Sequence, residues 1–293
     1  MSKWDKEYLN LCNKILTEGT QVHNRTGVDT IKLPYYSMSF DLSEEFPILT
    51  TKFVAFKSAV IEMLWFYQLQ SNDVRELQER GVKVWNEWKI DEDGVYRTYD
   101  EEGNLKSEKF FGKEWAHTIG TAYGYIVKKY QLTQKLIEKI KNNPEDRRMV
   151  MSLWQDEFLD TAVLPSCVWN SMWDVTEGKL NCVVTQRSTD VGLGLPFNVT
   201  QYAVLVHLIA QVTGLKPGML YWSAKDVHLY VNEIEGIQEQ MRRYKEMGDF
   251  EAPKLWINPE IKDFFQFDNS KELKDIKLEN YQHHGKIAMK VSV

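Results

Sequence analysis

The chain has 293 residues, enough for one large core or two small ones, and its 43% hydrophobic and 27% charged residues fit neither a disordered polyelectrolyte nor a membrane-embedded chain. A net charge of −6 gives no overall attraction for nucleic acid, so any phosphate must be held by a local group of arginines. Three cysteines, Cys12, Cys167 and Cys182, are too few and too odd in number for a disulfide framework and are expected as free thiols.

At the N-terminus, Met1 to Lys6 carries charges with no apolar run behind it, so no secretory leader is expected and a cytoplasmic location follows. Leu9, Leu11, Ile15 and Leu16 recur at roughly helical spacing and Gly19 supplies a stop, which predicts a helix over residues 5–18. A second helix is predicted over residues 56–70, apolar enough at Val60, Ile61, Met63, Leu64, Trp65 and Phe66 to be buried. Glu62 in its middle stands out. Residues 91–113 break the pattern with Asp-Glu-Asp-Gly, Asp-Glu-Glu-Gly-Asn and several lysines, and read as a solvated insertion or small hairpin.

Leu132, Leu136, Ile137 and Ile140 mark an amphipathic helix ending near Asn142-Asn143-Pro144, with Arg147 and Arg148 at the start of the next strand. Strands are predicted over residues 149–154, 167–175 and 179–187, where β-branched and aromatic residues alternate between turn signals. Residues 199–213, closed by Gly214, form the best helix candidate of the second half. Their longest apolar stretch, 202–212, is interrupted by His207 and Gln211 and is too short to cross a bilayer. No repeat, low-complexity tract or linker divides the chain and there is no regular βαβ alternation, so one α+β domain over residues 1–293 is expected.

Few positions carry candidate chemistry. Cys167 follows Leu164-Pro165-Ser166 and lies at a turn into a strand, a place suited to a nucleophile, although a lone cysteine is more often a structural core thiol. Cys12 and Cys182 keep that structural reading. Glu62 is either turned to solvent or held near a site with a raised pKa for proton transfer. Arg25, within His23-Asn24-Arg25-Thr26-Gly27, and the pair Arg147-Arg148 read singly as solvated cations.

Arg187-Ser188-Thr189-Asp190, followed by Gly192-Leu193-Gly194-Leu195-Pro196-Phe197-Asn198, is more specific. A strand ends in a cation, a hydroxyl and an acid, and two glycines let the backbone approach a ligand before a helix begins, a setting for a phosphate and a flat ring. A plain surface turn between strand and helix is the alternative. With no CxxC pair and no HExxH, no metal is expected.

In order and spacing, Asn24-Arg25-Thr26-Gly27, Glu62-Met63-Leu64-Trp65-Phe66, Val84-Trp85-Asn86-Glu87-Trp88, Arg147-Arg148, Pro165-Ser166-Cys167, Gln186-Arg187-Ser188, Leu193 to Asn198 and Asp226-Val227-His228-Leu229-Tyr230 resemble the thymidylate synthase family. The likeness spans almost the whole chain; only residues 91–113 lack a clear counterpart. It implies a single-domain α+β fold in which helices pack a mixed β-sheet whose face forms a homodimer interface. The reaction implied is reductive methylation of dUMP to dTMP, with 5,10-methylenetetrahydrofolate giving carbon and hydride and leaving as dihydrofolate.

By the same resemblance Cys167 is the nucleophile that adds to uracil C6, and Arg187 lowers its pKa. Arg25, Arg187, Ser188 and, from a second subunit, Arg147 and Arg148 hold the 5′-phosphate, with Gln186 among the nucleotide contacts. Asn198 pairs with O4 and N3 and selects uracil over cytosine; His228 and Tyr230 bind the ribose 3′-hydroxyl. Glu62 orders a proton relay to O4 and Tyr123 helps remove the C5 proton through water.

The folate would touch Trp85, Asp190, Leu193, Gly194 and Phe197, and the C-terminal residues 289–293, ending in Val293, would close over it. Val168 departs from the family's more usual histidine after the nucleophile. A dUMP hydroxymethylase of the same fold, in which water captures the intermediate, shares nearly every motif. A catalytically silent nucleotide- or RNA-binding member is a further alternative.

Overall fold

The computed structural model describes residues 2–100 and 102–292. Ser2 starts helix α1 (Lys3–Glu18) by accepting from the Asp5 amide at 3.1 Å, an N-cap that satisfies a first-turn donor. Next come β1 (Thr20–Val22), β2 (Thr30–Asp41), α2 (Phe56–Tyr67) and α3 (Val74–Glu79). The middle holds β3 (Val95–Tyr99), β4 (Leu105–Phe110), α4 (Gly124–Tyr130), α5 (Leu132–Asn142) and β5 (Val150–Ser152). After these run β6 (Val168–Thr176), β7 (Lys179–Gln186), β8 (Thr189–Asp190), α6 (Gly194–Thr213) and β9 (Lys216–Tyr230), then α7 (Ile234–Met247), β10 (Lys254–Ile257) and β11 (Ile276–Glu279).

One mixed sheet of seven strands runs β1-β2-β9-β7-β6-β5, with β8 also paired to β9. β9 is parallel to β7 and β8, while the other neighbours are antiparallel. A parallel pair needs a crossover, and α6 is that crossover, leaving after β8 and returning as β9. The sheet is therefore an antiparallel α+β arrangement with one βαβ unit inside it, matching the expected class.

α6 and α2 are apolar almost all round, with 14 of 20 and 10 of 12 residues buried, the pattern of helices enclosed by protein. By length and composition α6 is long and apolar enough to cross a membrane, yet 78% of its apolar window is buried inside this fold. It is longer than predicted because its first turn contains Gly194 and Pro196. Proline is tolerated there, where the N–H has no helical partner. α2 is shorter than predicted: Gln70 takes φ +55°, and Gln68 beyond the helix end gives its side-chain N–H groups to the Phe264 and Phe267 carbonyls.

Within residues 91–113, where a solvated segment or small hairpin is expected, β3 and β4 pair as a two-stranded hairpin. Strand β2 escapes a sequence reading because Pro34 interrupts it. Pro34 lies between the Leu33–Val227 and Tyr35–Lys225 pairs, opposite Asp226 with its left-handed φ of +52°. Thus the residue with no N–H to give sits where the ladder is already kinked.

Asp5 ties α1 to the segment that leads into α2. Its buried carboxyl accepts from the Thr50 and Thr51 amides at 2.8 and 3.0 Å and from both hydroxyls at 2.7 and 2.6 Å. Asp5→Ala would strand four buried donors. It is expected to destabilise the protein by about 3–5 kcal/mol, read as a lowered urea midpoint with an unchanged slope; a loss within about 1 kcal/mol would show that the clamp is dispensable.

Candidate active site

β6 and β7 pair antiparallel with Val168 opposite Gln186, so the residues just outside that pair, Cys167 and Arg187, become neighbours. The Arg187 amide donates to the Cys167 carbonyl at 2.9 Å. The Arg187 guanidinium donates to the Ser166 carbonyl at 3.1 Å and to the Pro165 carbonyl, and lies 5.5 Å from the Trp154 ring centroid. These partners fix the group without neutralising it.

Cys167 is partly exposed, whereas Cys12 and Cys182 are fully buried. The Cys167 amide donates to the Tyr123 hydroxyl at 2.9 Å, and the Tyr123 ring stacks on Phe66 at 4.3 Å. Tyr123 holds φ +44°, an uncommon conformation kept only where the surroundings enforce it. Burial pushes the Cys167 thiol up; Arg187 pulls it down most strongly, followed by Arg25, while Asp190 pushes it up again. The expected action of Arg187 is present, but desolvation outweighs it and the net shift is upward.

Glu62 is buried on α2 and receives two donors, the Trp85 indole N–H on one oxygen and the Gln201 side-chain N–H on the other. Burial pushes its pKa up to about 7, against the pull of the Trp85 and Gln201 hydrogen bonds. From Glu62 the donors run backward in one direction. Asn198 donates to Gln201 at 3.1 Å, Gln186 donates to Asn198 at 3.1 Å, and the Trp222 indole donates to Gln186 at 3.0 Å.

An indole N–H can only donate, so Trp222 fixes Gln186 with its oxygen toward the ring, and each amide beyond it is fixed in turn. Asn198 is left with one unused donor and one unused acceptor in a set orientation. Beside this chain a cavity of about 50 Å³ is lined by Glu62, Trp85, Tyr123, Val168, Asn198 and Gln201, polar enough and large enough for ordered water.

β8 lies beside β9 with Asp190 opposite His228. Ser188 makes the corner between β7 and β8 with φ +47°. His228 is buried and its Nδ1 donates to the Asp226 carbonyl at 2.7 Å, which leaves Nε2 for another partner. Tyr230 packs edge-on against it at 5.1 Å. The Asp190 carboxylate accepts the Leu193 and Gly194 amides at 3.1 and 3.2 Å, capping α6. At Gly192 a Cβ would come within 2.5 Å of the Glu233 carboxyl, so this glycine serves packing inside the protein.

Arg25 and Arg187 line a second cavity of about 480 Å³ together with Trp154 and Pro165. Arg147 and Arg148 do not line it; they stand exposed before β5, with Arg148 paired to Asp146 at 3.0 Å. Leu193, Gly194 and Phe197 sit at the start of α6. Val293 lies outside the described residues. Sequence reasoning missed Gln201 and Trp222. A polar residue three positions after Asn198 on an apolar helix was the available signal for Gln201; nothing local marks Trp222.

The family profile described as thymidylate synthase matches residues 6–293. The chain is 52% identical over 293 residues to the thymidylate synthase of Clostridium beijerinckii, covering 100% of both chains. It is 39% identical over 312 residues to thymidylate synthase 1 of Bacillus spizizenii, again covering 100% of both. Among solved structures it matches the thermostable thymidylate synthase A of Bacillus subtilis with a TM-score of 0.83 and 37% identity, covering 99% of each chain.

Because only Cys167 is accessible among the three thiols, alkylation by iodoacetamide reports on it alone. Arg187→Met removes the strongest stabiliser of the thiolate and is expected to move the pH midpoint of alkylation upward. At a fixed pH below that midpoint the reaction then slows about tenfold for each pH unit by which the midpoint rises. Arg25→Met is expected to do the same to a smaller extent. An unmoved midpoint in Arg187→Met would show that its charge does not act on the thiol.

Proposed function

The chain belongs to the thymidylate synthase family and is a methyltransferase that converts dUMP to dTMP, and we propose that its residues divide this work between a nucleophilic thiol and a pinned, uracil-reading amide. Cys167 is the nucleophile. Its thiolate forms a bond to C6 of the ring while the electrons of the C5–C6 double bond move toward C5 and O4. Glu62, poised near neutrality, orders proton delivery to O4 through water in the small cavity beside it. Tyr123, which accepts the Cys167 amide, positions through its hydroxyl a water that takes the C5 proton and passes it on to solvent.

The observation that carries this reading is the count on Asn198. With one N–H given to Gln201 and one lone pair taken by Gln186, one donor and one acceptor remain. They suit O4 and N3–H of uracil. Cytosine presents the reverse order at those two positions, and the fixed chain opposes the flip that would suit it. Arg25, Arg187 and Ser188 hold the phosphate, while His228 Nε2 and Tyr230 meet the 3′-hydroxyl.

Methylenetetrahydrofolate, when bound, supplies carbon and hydride. Asp190 accepts two backbone amides and stands against Glu233, and its remaining acceptor capacity is left for the N–H groups of a pterin. Leu193, Gly194, Phe197 and the face of Trp85 give it an apolar setting, and Val293 belongs to the closing C-terminus.

Arg147 and Arg148 are assigned to the site of a second copy. A row of register-paired residues, Tyr221, Val183, Met172 and Val150, crosses the sheet, and Tyr221, Met172 and Val150 are exposed apolar side chains, supporting that sheet face as a homodimer interface. Three free thiols accord with a cytoplasmic location.

Mass spectrometry after incubation with dUMP and methylenetetrahydrofolate is expected to find dTMP and dihydrofolate. Hydroxymethyl-dUMP with tetrahydrofolate would assign the last step to water, and unchanged dUMP would favour a silent binding protein. Trp222→Phe removes the donor that orients Gln186 and is expected to narrow the preference for dUMP over dCMP in kcat/KM by roughly tenfold, about 1.4 kcal/mol. An unchanged preference would mean that Asn198 is held by something other than this chain.

A further inference from the structure

The hairpin β3–β4 forms one side of the 480 Å³ cavity that Arg25 and Arg187 line on the other. Its contribution to that lining is Tyr96, Thr98, Lys106 and Ser107. Tyr96 and Thr98 lie two apart on one strand and therefore share a face. Thr98 is paired in register with Ser107, and their hydroxyls hydrogen-bond at 2.6 Å.

Regular alternation would turn Lys106 away from Ser107 and from the cavity. The ladder instead breaks at this point: after Thr98–Ser107 the next pair is Tyr99–Leu105, so Lys106 is an extra, unpaired residue. A bulge of this kind re-aims the side chain it carries. Lys106 lines the cavity and its Nζ donates at 3.2 Å to the carbonyl of Thr26, the residue after Arg25. The Arg25 loop is itself fixed by Asn24, which accepts from the Thr26 amide at 2.9 Å and donates to the Val28 carbonyl at 2.7 Å.

Charge separates the two faces of the hairpin. Arg97 is neutralised by Asp91 and Glu108. On the cavity side, Arg25, Arg187 and Lys106 form no ion pair with any carboxylate among the described residues. Three cations facing one cavity in a chain of net charge −6 raise the local concentration of an anion rather than of a neutral ligand.

We propose that the β3–β4 hairpin completes the anion site built by Arg25 and Arg187, with Lys106 as a further cation that binds the phosphate of the nucleotide and the one free O–H of the Thr98–Ser107 hydroxyl pair as a hydrogen-bond donor beside it. This rests on the reading above that Arg25 and Arg187 hold that phosphate. Lys106 is a binding residue and takes no part in the chemistry at the ring, so its removal acts on nucleotide affinity and leaves the bound complex to react at its usual rate.

The test is steady-state kinetics of the full chain carrying Lys106→Met, Lys106→Arg or Arg25→Met, with inorganic phosphate as a competitive inhibitor against dUMP. Lys106→Met is expected to raise the KM for dUMP and the Ki for phosphate together, by roughly five- to tenfold, with kcat within about twofold and the folate KM unchanged; Lys106→Arg restores most of both. If Arg25→Met raises both constants while Lys106→Met raises neither, the hairpin inference is wrong and the arginine reading stands. If Arg25→Met leaves both constants unchanged, the arginine reading itself fails. A Lys106→Met effect on the folate KM alone would give the cavity to the other substrate and overturn the proposal. An unchanged melting temperature confirms that the exposed hairpin has not unfolded.

Discussion

The site depends on one directed chain of hydrogen bonds, from the Trp222 indole through Gln186, Asn198 and Gln201 to Glu62, with the Trp85 indole arriving at the same carboxyl from the other side. Both ends are donors that cannot reverse, so the chain needs an acceptor with no competing N–H where they converge. A carboxyl group meets that need and an amide does not. The members come from β9, β7, α6 and α2, which meet because α6 is the crossover joining parallel neighbours. The local chemistry is thus a consequence of the topology.

The same enclosure sets the protonation states. Taking Glu62 out of water favours its neutral form, while two converging donors favour the carboxylate, and the balance falls at about 7. Cys167 meets the same opposition with the same outcome: Arg187 and Arg25 pull its pKa down and burial prevails. Beneath Asp190 the pattern recurs. Burial pushes Glu233 up, with Asp190 adding to the shift, while Lys52, enclosed and donating to Tyr8 at 3.2 Å, is pushed down. Glu62, Glu233 and Lys52 are all held away from their ordinary values chiefly by burial.

Much of the fold is legible where apolar periodicity is local. α1, the body of α2, α5 and the strands β6 and β7 all follow from spacing within their own segments. β2 and β9 have no such signature because their partners are distant in sequence, and Pro34 and Asp226 interrupt each at the same point of the ladder. α7 is equally hard to read, its buried side being as sparse as Ile237 and Gln240. For the site, the residue types near Cys167, Glu62, Arg187 and Asn198 are visible in the sequence, but the partners that orient them are not. Gln201 is one helical turn from Asn198 and could be found by position; Trp222 is on another strand and is brought to Gln186 only by the sheet.

Three residues around the site, Tyr123, Ser188 and Asp226, hold left-handed backbone conformations at φ values of +44°, +47° and +52°, each costing on the order of 1 kcal/mol or more outside glycine. Each is locked by what it positions. Tyr123 is stacked on Phe66 and carries the Cys167 amide; Asp226 is paired to Lys32 at 3.1 Å and accepts the His228 proton on its carbonyl. Ser188 turns the chain from β7 to β8. A relaxed backbone at any of the three would rotate a functional group out of register with the others. The fixed core of α2 and α6 therefore supports a strained rim.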